Sequence, residues 1–299
     1  MSKKKEMRVK EVGATINLGQ YSSLHVTLGE EQEYGGLDLQ RSLNYLKRIA
    51  NEVDGTLNLP EKEAPEKIAT PPEASQPKMV GEKIYAFGGQ TPIWYDNDTH
   101  SYYSEQGVKY DSVTQLLGTF YPFNSDGKIA QAYMDFAASY GNLVHTAVQN
   151  MVIGKPPKKE LVLDILTDVA KAMGSYDNGW VEQLIAYPDQ EIAGRFDILT
   201  KKDDKYTLWD VKTNSDLYMT NECNLPDSLK EKFSEYWNPE TIYGEHCLQL
   251  NLYAYIIEKT SDVEIGEIKI IHIPDGFKKV IDVPKVDVSA IFQAYGSTR

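Results

Sequence analysis

Ile192-Ala193-Gly194-Arg195-Phe196-Asp197-Ile198-Leu199-Thr200 runs into Lys201-Lys202-Asp203-Asp204-Lys205 and then Tyr206-Thr207-Leu208-Trp209-Asp210-Val211-Lys212-Thr213. Two apolar strands joined by a charged turn read as a β-hairpin. Two acids stand out in it. Asp197 lies between Phe196 and Ile198, and Asp210 between Trp209 and Val211. A carboxylate in such company is costly unless something compensates its charge, and a divalent cation is the natural compensation. Asp210 and Lys212 are two apart, so their side chains leave the same strand face while Val211 points to the core. Asp197 on the neighbouring strand can then close a metal site with Asp210 and the Val211 carbonyl. Lys212 stands beside it, in reach of a phosphate or an attacking water. Phosphodiester hydrolysis uses those parts: a metal to polarise the phosphoryl oxygen and a cation against the developing charge. D-x-K is also a common tripeptide, and the same residues read alternatively as a partly buried Asp210–Lys212 ion pair with Asp197 at a strand end.

Outward from this hairpin, the patterning describes an α/β chain. Upstream lie short strands at 93–95, 101–103 and 108–110, helices near 112–118, 128–151 and 159–173, and a strand near 182–188. Downstream come an irregular stretch to about 243, a helix near 245–259, strands near 264–273 and 278–283, and a terminal helix near 286–296. That order suggests a central mixed sheet covered by helices on both faces, in a main domain spanning 81–299. A small N-terminal α/β module occupies 1–53. Ala14, Ile16 and Leu18 alternate with polar neighbours, as do Leu24, Val26 and Leu28, and Leu39, Leu43, Leu46 and Val53 recur at helical spacing. Such a unit is marginal alone, so it is expected to dock on the rest of the chain or on a partner. Between them, residues 54–80 hold Pro60, Pro65, Pro71, Pro72 and Pro77 among Glu and Lys, the composition of a semi-extended linker.

The 299 residues, 41% hydrophobic and 25% charged, are ordinary for a soluble globular protein. No apolar run approaches the roughly 20 residues of a membrane span, and Met1-Ser2-Lys3-Lys4-Lys5 is not followed by the apolar segment of a secretory signal. A cytoplasmic location is expected. The net charge of −13 argues against a protein that coats nucleic acid non-specifically, but not against an enzyme with a local positive groove. Cys223 and Cys247 are too few for a disulfide framework or a four-cysteine cluster, so no iron–sulfur cluster is expected.

Two further stretches carry polar groups on apolar helices. Gly141-Asn142-Leu143-Val144-His145 begins one, and Gln249 and Tyr253 share a face of another. Taken in order, Gly141–His145, Gly194–Asp197, Asp210–Lys212 and Gln249–Tyr253 resemble the G-x-x-x-H, G-x-x-D, D-x-K and Q-x-x-x-Y pattern of the RecB-like branch of the PD-(D/E)xK nuclease superfamily. The resemblance covers roughly residues 90–285. The run from Trp94-Tyr95-Asp96 through Ser112-Val113-Thr114-Gln115 to Tyr121-Pro122-Phe123 also looks like phage-encoded members.

The resemblance implies a restriction-endonuclease-like core. It also implies a Mg²⁺- or Mn²⁺-dependent deoxyribonuclease, an exonuclease of phage-type recombination or replication, working in the cytoplasm of a bacterial host. DNA is the implied partner, and a recombination or replication protein the expected one for the N-terminal module. His145, Asp197 and Asp210 would bind the metal, Lys212 would be the catalytic lysine, and Gln249 and Tyr253 would position the strand or order the site. Glu182 matches a position often acidic in the family, although an exposed strand-end glutamate is the commoner explanation. An imidazole among carboxylates should favour Mn²⁺. The stretch 214–245 is longer than the family's lysine-to-glutamine gap. With Tyr218, Tyr236, Trp237 and Tyr243 it reads either as a strand-guiding wall or as a surface insertion with its own apolar cluster.

Three other functions compete. An endonuclease of the same fold would use the same residues. A non-catalytic nucleic-acid-binding or assembly protein has no need of two carboxylates facing a phosphate. A glycosidase with paired carboxylates gives no reason for the lysine two residues after Asp210.

Overall fold

A computed structural model describes residues 12–17, 23–28, 81–89, 91–122, 131–155, 163–274 and 276–298. The chain divides into two compact units, 1–73 with 129–136 and 74–128 with 137–299. In the first, β1 (Val12–Asn17) and β2 (Ser23–Leu28) pair antiparallel, Ala14 opposite Val26 and Ile16 opposite Leu24. The helical stripe expected at 39–53 and the linker at 54–80 lie outside the described residues.

The second unit opens with an antiparallel meander of β3 (Glu82–Tyr85), β4 (Pro92–Asp96), β5 (Ser101–Tyr103) and β6 (Lys109–Ser112). The sequence pattern missed β3, whose side chains are mostly exposed and carry no apolar alternation. Asp96 makes the turn between β4 and β5 by accepting from the Asp98 N–H at 3.0 Å and the Thr99 hydroxyl at 2.7 Å. Ser112 then caps helix α1 (Val113–Phe120) in a reciprocal box with Gln115.

Helix α2 (Gln131–Val152), whose residues from 137 on belong to this unit, and α3 (Leu163–Met173) follow, then β7 (Asn178–Tyr187), β8 (Ile192–Lys202) and β9 (Lys205–Lys212). Helices α4 (Asp227–Ser234) and α5 (Ile242–Thr260), strands β10 (Ile265–His272) and β11 (Lys279–Val283), and helix α6 (Ser289–Gly296) complete the unit. Among the described residues nine strands form one mixed sheet, ordered β11-β10-β9-β8-β6-β5-β4-β3, with β7 also paired to β8. The expected α/β architecture, a large open mixed sheet flanked by helices, is the one present. No helix among the described residues is long and apolar enough to cross a membrane.

The edges of β8 decide where a site can form. Along one edge β7 pairs antiparallel from Tyr187–Ile192 to Asn178–Lys201. The other edge is shared: β6 takes Ile192 and Ala193 in parallel, and β9 takes Ile198 to Lys202 antiparallel. Residues 194–197 have no ladder partner there among the described residues. Meanwhile β9 runs on beside β10 in parallel as far as Lys212 opposite His272. Strands β8 and β9 therefore part like a fork beyond the Ile198–Trp209 pair, and Asp197 and Asp210 are the next residues on its two prongs.

The walls of the fork are apolar and closely packed. Phe196, Ile198, Leu199, Leu208, Val211, Ile270 and Ile271 are fully buried. The stretch 214–245 is not a surface insertion with an apolar cluster of its own. Leu217, Leu225, Leu229, Phe233 and Trp237 join the main core with α1 and α5, and Phe233 stacks on Trp237 with ring centroids 5.4 Å apart. Its supposed irregularity also hides α4, eight residues whose buried face is only Leu229 and Phe233. The stretch is tied to α5 by the Tyr243 N–H to the Leu217 carbonyl at 2.6 Å. Thr241 caps α5 through the Gly244 N–H, so the helix starts three residues before the expected 245.

Candidate active site

At the fork, the register one step beyond Ile198–Trp209 sets Asp197 opposite Asp210. The Val211 N–H, which has no β8 carbonyl to meet once the strands part, donates to Asp197 Oδ2 at 3.0 Å. Asp197 Oδ2 is also 3.1 Å from His145 Nδ1. Gly141, which precedes His145 by one turn, has a spatial reason to be glycine: a Cβ there would stand 3.3 Å from the Thr213 hydroxyl, so α2 passes tightly over the end of β9.

Glu182 proves more central than a strand-end acid. Strand β7 starts at Asn178, so Glu182 lies inside it, bracketed by Val181–Ile198 and Gln183–Phe196 and level with Asp197. The pair at Glu182 itself is missing because its φ is 51°, in the left-handed region that β-strand residues avoid. Glu182, Asp197 and Asp210 thus form one row of carboxylates across three adjacent strands. Glu182 Oε2 is 2.6 Å from Arg195 Nε, and Oε1 accepts from the Gln149 amide. A cavity of about 640 Å³ opens on this side, lined by Gly141, His145, Gln149, Glu182, Arg195 and Asp197 among others.

Behind Asp197 lies a drier half. Asp210 is only 3% exposed, and Lys212 Nζ approaches its Oδ2 to 2.8 Å while donating to Gln249 Oε1 at 3.0 Å. Neither Asp210 nor Lys212 lines the open cavity. Tyr253, one turn beyond Gln249, is buried against Gly194, where a Cβ would come within 2.9 Å of the ring and 3.1 Å of Val113. Gln249 thus holds the Lys212 ammonium, and Tyr253 fills the space beside Gly194. Gly194 is glycine because Tyr253 and Val113 occupy the gap beside β8.

The electrostatics separate the two aspartates. Burial alone would raise Asp197, but the hydrogen bond and charge of His145, the charge of Lys212 and the Val211 N–H together hold it below the usual carboxylate range. Burial raises Asp210, with the Asp197 charge adding and Lys212 opposing, to about 6. Burial opposes charging His145, but its contact with Asp197 and the charges of both aspartates outweigh this and raise it. Lys212 is likewise raised, burial being outweighed by Asp210 and Asp197. Glu182 is raised by burial against the pull of Arg195. Two carboxylates driven apart by their surroundings are a common mark of functional sites.

The donor set can be weighed against a divalent cation. Among the described residues no three His, Cys, Asp or Glu side chains are grouped as a metal cage, since Asp197 turns to His145 and Asp210 to Lys212. Yet Asp210 Oδ2 is a buried oxygen with no aligned hydrogen bond, because Lys212 reaches it at ion-pair distance without hydrogen-bond geometry. A buried carboxylate oxygen without an aligned donor, one register step from a second carboxylate that holds an imidazole, is oxygen and nitrogen chemistry that fits a hard divalent cation. Matched against protein-family models the chain corresponds to none, and none of the curated proteins matches it.

Sequence reading missed Arg195 and Gln149. Each had a local sign: Arg195 is two residues before Asp197 on the same strand face, and Gln149 is one helical turn after His145. The partner that gives both a purpose, Glu182, is brought to them only by the pairing of β7 with β8.

Proposed function

We propose that this chain is a divalent-metal-dependent nuclease of the PD-(D/E)xK type with a restriction-endonuclease-like core, acting on DNA. Its resemblance to the RecB-like branch favours an exonuclease of phage-type recombination or replication. The observation that carries the reading is the fork between β8 and β9. There His145 meets Asp197 at 3.1 Å and Lys212 meets Asp210 at 2.8 Å, two pairs drawn from three separate elements and set side by side on the facing prongs.

In this reading His145, Asp197 and Asp210, with the Val211 backbone, would hold Mg²⁺ or Mn²⁺. Such an ion supplies Lewis acidity toward a phosphoryl oxygen and lowers the pKa of water. Lys212, fixed by Gln249, places a desolvated ammonium against negative charge that grows in the transition state. A preorganised charge of this kind is strongest where water is excluded, as it is around Asp210. Arg195, in the open cavity beside Asp197, meets the anionic substrate on the solvent side. His145 would have to carry no proton on the nitrogen that serves as a ligand, and its other ring nitrogen could still donate to a carboxylate.

A non-catalytic protein that binds nucleic acid with the same fold would account for the burial of Asp210 and Lys212. It would not account for a row of three carboxylates facing a polyanion. The test is incubation with labelled single- and double-stranded DNA in Mg²⁺, Mn²⁺ or EDTA. Cleavage is expected with Mn²⁺ at least as fast as with Mg²⁺ and is expected to vanish in EDTA. Cleavage undiminished in EDTA, or none with either metal, overturns the proposal.

A further inference from the structure

Beyond the fork, the sheet continues to a surface that the chemistry above does not use. Lys212 pairs with His272 across β9 and β10, and His272 pairs with Lys279 across β10 and β11. Lys279 therefore lies in the same row as Lys212, two strand spacings or ~10 Å away. Partners in one row share a sheet face, so Lys279 stands on the Lys212 side. The loop between β10 and β11 is folded back there, the Lys278 N–H donating to the His272 carbonyl at 3.0 Å.

The chain leaving β9 borders both places. Thr213 lines the catalytic cavity, and Ser215, two residues on, lines a second cavity of about 440 Å³ with Phe277 and Lys278. Next comes Tyr218, 55% exposed, with Lys279 Nζ 5.4 Å from its ring centroid and the Tyr243 ring 5.5 Å away. Met219 is equally exposed, whereas Leu217, Leu225, Leu229, Phe233 and Trp237 of the same stretch are packed into the core. Two carboxylates of the described residues in this region have partners of their own. Asp216 accepts from the Tyr218 N–H at 2.8 Å, and Asp282 pairs with Lys269 at 2.8 Å. Two exposed lysines beside an exposed aromatic ring form a cationic, stackable patch on a chain of net charge −13.

We infer that Tyr218, Phe277, Lys278 and Lys279 form a binding platform for single-stranded DNA, guiding a strand along the sheet toward the fork. Tyr218 offers its face to a base, Phe277 walls the neighbouring cavity, and the two lysines contact phosphates. A duplex keeps its bases stacked on one another, so the aromatic part of this surface selects an unpaired strand. This extension rests on the nuclease reading only for what the strand meets at the fork; the binding itself does not require catalysis.

The experiment is fluorescence anisotropy of labelled oligo-dT and of a labelled duplex in EDTA, with Mn²⁺-dependent cleavage measured in parallel on the full chain. Loss of one base-stacking ring weakens single-strand affinity by about fivefold to a hundredfold, so Tyr218→Ala should do so while Tyr218→Phe retains most of it. Lys278→Gln and Lys279→Gln should each flatten the dependence of log affinity on log salt by about 0.7. Oligo-dT affinity unchanged in Tyr218→Ala, or a parent that binds only duplex, overturns the platform. If the parent also cleaves DNA, the nuclease reading survives that failure. Conversely, Tyr218-dependent binding by a parent that cleaves nothing supports the platform and sinks the nuclease reading.

Discussion

Lys212→Ala removes the one ammonium that touches Asp210, a carboxylate 3% exposed and already under-bonded. Leaving a buried charge without its partner costs about 3–5 kcal/mol. For a chain of this size that lowers Tm by roughly 6–20 °C at alkaline pH. The deficit has a pH signature. Asp210 is held up by burial and by Asp197, and Lys212 is what opposes them, so its loss raises Asp210 above the present value of about 6. A carboxyl with a folded pKa above its unfolded one favours the folded state when protonated, and that advantage fades as pH rises through the folded value. The gap in Tm between parent and variant should therefore be widest near pH 8 and shrink toward pH 5. Cleavage, assayed in single turnover well below either Tm, should fall by about a hundredfold to a thousandfold. Lys212→Arg should not restore it fully, since a planar guanidinium does not replace a compact ammonium. A pH-independent gap under about 1 °C would show that Asp210 and Lys212 are not a buried coupled pair, since even exposed pairs reach ~1 kcal/mol. Near-parent cleavage would remove Lys212 from the chemistry.

His145→Ala should weaken Mn²⁺ binding measured by calorimetry while far-ultraviolet dichroism stays that of the parent; unchanged affinity would make His145 a mere partner of Asp197. Because His145 and Asp210 are both raised and must be deprotonated to act as ligands, Mn²⁺ binding should release protons. Its apparent affinity should thus fall as pH is lowered through 7 toward 5, and pH-independent binding in two buffers of different ionisation enthalpy would refute the ligand set. Gly194→Ala should destabilise the fold by about 1–3 kcal/mol, because its methyl meets Tyr253 and Val113 within the gap beside β8. A denaturant midpoint equal to the parent's would mean that Tyr253 can move aside.

Much of the site was legible because strand and helix periodicities are local. The two-residue step from Asp210 to Lys212 and the four-residue steps to His145 and to Tyr253 need only a helix or a strand to put both ends on one face. Glu182 was the least legible. Neither its neighbours nor its position along the chain distinguishes it from an exposed strand acid, and its left-handed backbone leaves no trace in the residue type. The stretch 214–245 misled for the opposite reason. Its aromatics are spaced irregularly, so no period announces that Leu217, Phe233 and Trp237 point into the common core.

The α/β order of elements, the hairpin of β8 and β9 and the two acids set in apolar strands can all be read along the chain. Those features follow from alternation and turn chemistry within a few residues. Only the tertiary structure decided that β6 and β9 share one edge of β8 and leave 194–197 between them. The same pairing aligned Glu182 with Asp197, closed Tyr253 over Gly194 and set Lys279 in the row of Lys212. Each of these depends on strand register between distant segments. Register is set by which apolar faces can be buried together, a property of the whole core that no local window contains.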